Sequence, residues 1–242
     1  MEPDVTPISL QETFCFACHP AVPCFNECCR DLIQYLTPYD ILRLKNHLGL
    51  TSRQFLERYT SQHVGPESGL PIITLKPGDP HNLTCPFVTP QGCSVYENRP
   101  SSCRTYPLMR GIARCRQRNR MTEQFMVLKE THCRGFDGGR SQTVQQWIDG
   151  QQIADYNAVN DKLIQIISLK NTRKPGVLDL KDGHLFFTAL YDLDSFRSQI
   201  TDNGILADGN LDPALVDKAL VDDLALLEVG MKWVEQVLFD QS

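Results

Sequence analysis

Apolar positions recur at helical spacing in several stretches of this chain, and between them they alternate or give way to turn residues. Leu36-Thr37-Pro38-Tyr39-Asp40 is a helix start. Thr37 can cap, Pro38 suits the first helical position, and Asp40 sits where the helix dipole favours an anion. Ile41, Leu42, Leu44 and Leu48 then form an apolar stripe that Gly49 closes. Thr51 or Ser52 caps a second helix, which turns Phe55, Leu56 and Tyr59 inward. From Thr143 to about Lys170, Val144, Trp147, Ile148, Ile153, Tyr156, Val159, Leu163 and Ile167 keep roughly helical spacing. A short helix is expected after Asp192, and a long one from Asp212-Pro213 to about Phe239.

Elsewhere the pattern is shorter in range. Residues 1–13 read as a loose arm, and 61–84 as Gly- and Pro-rich chain with one strand at Pro71–Lys76. Cys85-Pro-Phe-Val, a turn at Thr89-Pro-Gln-Gly and Cys93-Ser-Val-Tyr predict a short hairpin with a cysteine on each side of its turn. Residues 98–107 form a proline-bounded connection. Phe125–Glu130 alternates as a strand and leads to His132 and Cys133. Val177–Leu180 and Leu185–Thr188 suggest a second hairpin around Lys-Asp-Gly. There is no internal repeat and no low-complexity run. The expected fold class is α+β, mostly α: an irregular, metal-organised N-terminal region with short hairpins, residues 1–140, packed against a mainly helical region, 141–242.

Composition narrows the function classes. With 242 residues and 41% hydrophobic side chains the chain can bury a real core. Charge is uneven within the net −5: residues 1–140 hold 16 Lys+Arg against 13 Asp+Glu, and residues 141–242 hold 8 against 16. An acidic second half speaks against general nucleic-acid binding. No apolar run nears the ~20 residues of a membrane span, and MEPDVTPISLQET lacks the basic and apolar regions of an export signal. The expected location is cytoplasmic, with no membrane partner.

All ten cysteines lie in the first 133 residues: Cys15, Cys18, Cys24, Cys28 and Cys29, then Cys85, Cys93, Cys103, Cys115 and Cys133. In a reducing compartment such a set reads as metal thiolates rather than disulfides. Zinc, iron and iron–sulfur clusters all accept this ligand type. Cys28-Cys29 is expected to serve two neighbouring sites, or to give one ligand and one packed thiol. Four cysteines precede an arginine (Arg30, Arg104, Arg116, Arg134), and guanidinium charge would offset an anionic thiolate site.

Three linked motifs resemble a known family. They are Phe14-Cys15…Cys28-Cys29-Arg30, then Leu36-Thr-Pro-Tyr-Asp-Ile41-x-Arg43-Leu44, then Cys85-Pro-Phe-Val…Gly92-Cys93-x-Val-Tyr96-x-x-Arg99-Pro100-x-x-Cys103-Arg104-x-Tyr106-Pro107. Over roughly residues 14–137 they are similar to the YkgJ-type cysteine-cluster family, whose domain is described as zinc- or iron-chelating, with eight recurring cysteines. The resemblance implies Cys18, Cys24, Cys28, Cys29, Cys85, Cys93, Cys103 and Cys133 as ligands, leaving Cys15 and Cys115 spare. The gaps around Cys24 are wider than the family's C-x-x-C-x-x-C-C, so Cys15 could stand in for Cys18. Some relatives resemble flagellin lysine N-methylases, which implies a metal-dependent enzyme as an alternative. A second alternative is a module with a structural metal and a protein partner.

Other patterns were weighed beside these. Cys15-Phe-Ala-Cys18-His19 fits the c-type haem string, and the same two cysteines fit a redox dithiol, but neither has its usual context. Cys24-x3-Cys28-Cys29 fails the second gap of a radical S-adenosylmethionine motif. His19 and His132 adjoin cysteines and could ligate metal, though surface roles are commoner; His47 reads as a helix-end group. Five arginines between Arg110 and Arg120 read as a solvated loop, or one docked on the acidic half. Trp147 and Trp233 read as core and interface residues.

Overall fold

The computed structural model describes residues 3–31, 33–115, 120–206 and 210–239. Its strands are β1 (Asp4–Ile8), β2 (Thr13–Cys15), β3 (Tyr35–Leu36), β4 (Thr60–Val64), β5 (Pro71–Leu75), β6 (Val88–Thr89), β7 (Gly92–Cys93), β8 (Leu108–Cys115), β9 (Arg120–Lys129) and β10 (Ser141–Thr143). The helices are α1 (Pro38–Leu48), α2 (Ser52–Tyr59), α3 (Ser101–Thr105), α4 (Val144–Gly150), α5 (Ile153–Arg173), α6 (Leu180–Leu190), α7 (Leu193–Asn203), α8 (Pro213–Ala219) and α9 (Asp223–Val234). The fold is α+β and mostly α, as the periodicity predicts.

The chain divides into two compact units, each built from two segments: Met1–Leu32 with Pro77–Asp155, and Ile33–Lys76 with Tyr156–Ser242. Residue 140 lies within the second segment of the first unit. A tertiary reason is visible. Val144, Ile148 and Ile153 share one buried cluster with Phe14, Phe16, Leu108, Phe125 and Cys133, so the start of the helical region belongs to the cysteine-bearing core.

In the first unit β9 is the centre of a three-stranded antiparallel sheet ordered β1-β9-β8. β10 pairs with β2, and β6 with β7 around the expected hairpin turn. The loose arm expected over residues 1–13 is therefore corrected. Asp4 to Ile8 run opposite Lys129 to Phe125, and Thr13 to Cys15 run opposite Thr143 to Ser141. Nearly every β1 side chain is exposed, so no alternation marks it, and Pro7 is tolerated because the strand lies at an edge. The basic stretch is also corrected: its first part is β8, paired along β9, and Arg110 pairs with Glu123. Residues 116–119, and the side chains of Arg114, Cys115 and Arg120, lie outside the described residues.

In the second unit a β3-β5-β4 sheet and six helices, with most of α5, enclose Leu44, Phe55, Ile73, Phe186, Phe196, Leu226 and Val229. Both helix starts carry capping boxes, Thr37 with Asp40 and Thr51 with Gln54, and Gly49 takes the left-handed conformation at φ 65° that closes α1. The hairpin expected over 177–188 is instead α6. Asp179 accepts from the Asp182 amide as its cap, and Phe186, Ala189 and Leu190 are buried at helical spacing. Gly183 is a helix residue, not a turn. The two long helices expected from the pattern are interrupted, one by Gln151–Gln152 before α5, the other between α8 and α9, where Asp222 caps afresh through the Ala225 amide.

Candidate metal centre

The cysteine loops are held together by backbone contacts. Ala17 N–H donates to Gly135 O at 2.9 Å, which lays the Phe16–Cys18 loop against the 134–139 loop. The approach is close: a Cβ on Gly135 would fall 2.5 Å from Phe16 Cε2 and 2.8 Å from Ala17 O, so only glycine fits without a shift. Asn26, with φ 70°, turns the chain into the short 3₁₀ segment Glu27–Cys29, and its side-chain amide donates to Thr89 O at 2.9 Å. Cys85 N–H donates to Cys29 O at 2.8 Å, tying the first thiol group to the second. Cys93 sits on β7 and Cys103 on α3. The Arg134 amide donates to Cys24 Sγ at 3.0 Å.

These contacts bring the cysteine-bearing loops next to one another. Cys18, Cys24, Cys28 and Cys133 line one small pocket of about 30 Å³ with Tyr106 and His132, floored by Phe16. Cys29 feels Cys28, Cys85 and Cys103 as neighbouring charges, and Cys85 feels Cys93 and Cys28. Cys28 borders both groups: it lines the pocket, and Cys85 and Cys93 feel it as a neighbour. Cys133 is buried, Cys24, Cys29, Cys85 and Cys93 are half-buried, and Cys18, Cys28 and Cys103 reach solvent. Cys15 is exposed on β2. Among the described residues no three or more His, Cys, Asp or Glu side chains are close enough together to hold a metal ion as they stand. The thiols are neighbours, not a closed coordination shell.

Burial pushes Cys18 up to about 11, and Cys28, Cys24 and Cys133 push in the same direction. Burial likewise raises Cys85, Cys93 and Cys133, with further thiols adding to the effect on each. Cys28 is the exception: a hydrogen bond from Cys29 holds it down at about 7 and drives Cys29 upward. Thiolates crowded in this way repel one another unless a cation stands among them. A divalent ion reverses the sign, because coordination deprotonates thiols outright.

A second sign of fit is Tyr106. Its buried hydroxyl has no partner at hydrogen-bond geometry, although it faces Cys133 and Glu130, and burial followed by Cys133 pushes the phenol far above its usual range. The pocket it lines is large enough for an ion or a water. The donor chemistry, soft sulfur with one orphan hydroxyl, suits zinc or iron.

Other expected site residues are placed less centrally. His19 is exposed and its Nδ1 accepts from the Ala21 amide at 3.3 Å, within its own loop. His132 lines the pocket and lies 3.6 Å from Glu130. Of the arginines that follow cysteines, Arg104 is buried, with Nη1 donating to Gln151 O and Nη2 to Glu97 O, at 2.6 and 2.7 Å. Arg134 is exposed and pairs with Asp137 at 3.8 Å. Arg99, which precedes Pro100 and follows no cysteine, is the cation that Cys18 and Cys93 feel. Both it and Tyr106 stand in the motif that carries the resemblance, but only tertiary burial gives them a role.

Residues 17–134 match the model of the CxxCxxCC family, described as a "putative zinc- or iron-chelating domain". No curated protein and no solved structure matches the chain. No helix among the described residues is long and apolar enough to cross a membrane.

Proposed function

Because residues 17–134 form a domain of the CxxCxxCC family, we propose that this chain binds zinc or iron through the eight thiolates of Cys18, Cys24, Cys28, Cys29, Cys85, Cys93, Cys103 and Cys133. The observation that carries the reading is their convergence. Cys18 and Cys133, more than a hundred positions apart, line one pocket with Cys24 and Cys28, and Cys15, three residues from Cys18, is not among its lining residues. A pocket of about 30 Å³ suits an ion and is far below the roughly 300 Å³ at which small-molecule clefts begin.

When bound, the metal would supply folding free energy and charge balance to loops that have little apolar packing of their own. The chain's own part is to present the ligands. Glu27–Cys29 presents Cys28 and Cys29 side by side, the β6–β7 turn brings Cys93 back toward Cys85, and the Arg134 amide orients Cys24. Cys29 holds the pKa of Cys28 down at about 7, which favours the thiolate form that a metal ion takes. Cys29, the donor to Cys28, would lose its proton as the second set forms.

Anaerobic purification with elemental analysis and an ultraviolet–visible spectrum tests the reading. At least one tightly held zinc or iron per chain is expected. A brown chromophore means iron–sulfur, and a colourless zinc protein means a structural ion. Metal-free protein whose melting is unchanged by added zinc or iron(II) overturns it.

A further inference from the structure

The second unit contains a cavity of about 210 Å³ between the β3–β5 pair and helices α5 and α6. Its walls are mostly apolar. Leu36 and Ile73 come from the sheet, Leu163 and Ile167 from α5, and Phe186 from α6. Tyr35 also lines it and is 56% exposed, which puts the opening beside that ring. Among the described residues no charged side chain lines the space. Lys170, about one turn beyond Ile167 on α5, turns its ammonium onto Ser68 O and Gly176 O instead.

Water is a poor occupant of such a space. A buried water needs roughly two to four polar partners, and the hydroxyl oxygens of Thr37 and Ser68, on the wall, already accept from the amides of Asp40 and Leu70 at 3.2 and 3.3 Å. Left empty, the walls forfeit dispersion contacts on one side. One polar group remains to be satisfied. Tyr191 lines the cavity at 6% exposure, and its hydroxyl makes no hydrogen bond among the described residues. Burial and then the charge of Asp40 raise its pKa, so the phenol keeps its proton and can donate. Size sets the class of ligand. A volume of about 210 Å³ falls short of the roughly 300 Å³ of clefts for drug-sized molecules, yet exceeds the roughly 150 Å³ apolar cavity that takes benzene. We propose that this cavity binds a small neutral molecule, one ring with a short substituent, whose carbonyl or ether oxygen accepts from the Tyr191 hydroxyl. The inference is independent of the thiols and of the metal they are proposed to hold.

Acetophenone is a probe of this description. Ethylbenzene keeps its shape without the oxygen, and benzoate adds a charge. Each is titrated into the full chain and followed through the carbon-13 methyl signals of Ile73, Leu163 and Ile167, which line the cavity. Acetophenone should shift these signals saturably, with a Kd in the millimolar range or tighter. Benzoate should shift none of them. Tyr191→Phe should bind acetophenone about 2- to 10-fold more weakly, the factor for one neutral hydrogen bond, and ethylbenzene as wild type does. Ile167→Trp fills the space and should bind neither neutral probe; Tyr191→Phe carries the test if that variant does not fold. Acetophenone that leaves the three methyl signals unmoved, or moves them without saturation, overturns the cavity as a binding site. Equal acetophenone affinity in wild type and Tyr191→Phe overturns the part given to the hydroxyl. Benzoate that binds as well as acetophenone overturns the neutral class of ligand.

Discussion

Cys28 and Cys15 differ by thirteen positions and by everything that matters to a metal. Cys29 holds Cys28 down at about 7, and Cys28 lines the pocket with Cys18, Cys24 and Cys133, while Cys15 lies on β2 and is not among the residues lining it. Cys28→Ser should therefore lower bound metal at least severalfold by elemental analysis, whereas Cys15→Ser should leave it at the wild-type level. Equal loss in both variants would remove the distinction between ligand and spare. The proposed ligand set is what the family resemblance implies for the cysteines of the matched motifs. Arg99 and Tyr106 carry no such mark. Each is an ordinary residue in a proline-bounded stretch until the chain folds and takes the water away from it. A Cys-Arg dipeptide suggests charge balance by neighbours in sequence, but the buried guanidinium groups are those that Gln151 can reach.

At the level of elements, α6 and α9 cross at a glycine. A Cβ on Gly230 would fall 2.2 Å from Ala189 O and 3.5 Å from Phe196, so the backbones meet where no side chain fits. Gly230→Ala adds helix propensity, yet it should destabilise the protein by about 1–3 kcal/mol, because the contact is with a rigid carbonyl rather than a flexible side-chain end. Chemical denaturation checks the sign, and a more stable variant would refute the tight crossing. Elements with a complete local signal were readable in advance: the caps of α1, α2 and α7, the stripe of α1, strand β5, and the Thr89–Gly92 turn. Elements whose reason lies far off along the chain were not. β1 exposes nearly all its side chains and exists because β9 offers an edge. Lys181-Asp182-Gly183 has turn composition, but the Asp179 cap and the buried face of Phe186, Ala189 and Leu190 outweigh it.

Across the molecule, two cores with different chemistry should fail under different conditions. The second unit has a charged cluster in which Lys45 Nζ lies 2.7 Å from Asp223 and 3.6 Å from Asp194, and Arg197 pairs with both carboxylates. Burial works to raise Asp223, but hydrogen bonds from Lys45 and Arg197 outweigh it and hold the carboxyl at about 2. A carboxyl lowered in the folded state adds stability that is complete above its unfolded value near 4. That stability is lost as pH falls from about 4 through 2, an effect of about 1–2 kcal/mol allowing for solvent screening. The two tryptophans report separately, Trp147 from the first unit and Trp233 from the second. Single-tryptophan variants should show the Trp233 signal weakening between pH 4 and 2, and Asp223→Asn should flatten that dependence. An unchanged profile in Asp223→Asn would exclude the cluster as the cause.

The interleaved segments also fix an order of synthesis. A ribosome completes the cysteine-bearing unit when Asp155 has emerged, while Tyr156–Ser242, the partner of the already finished Ile33–Lys76, is still being made. During that interval the thiols can meet a metal, or an oxidant, on a nascent chain whose middle segment waits unsatisfied. If the thiols hold a metal as proposed, its supply during translation would bear on the yield of folded protein separately from the stability of the finished molecule.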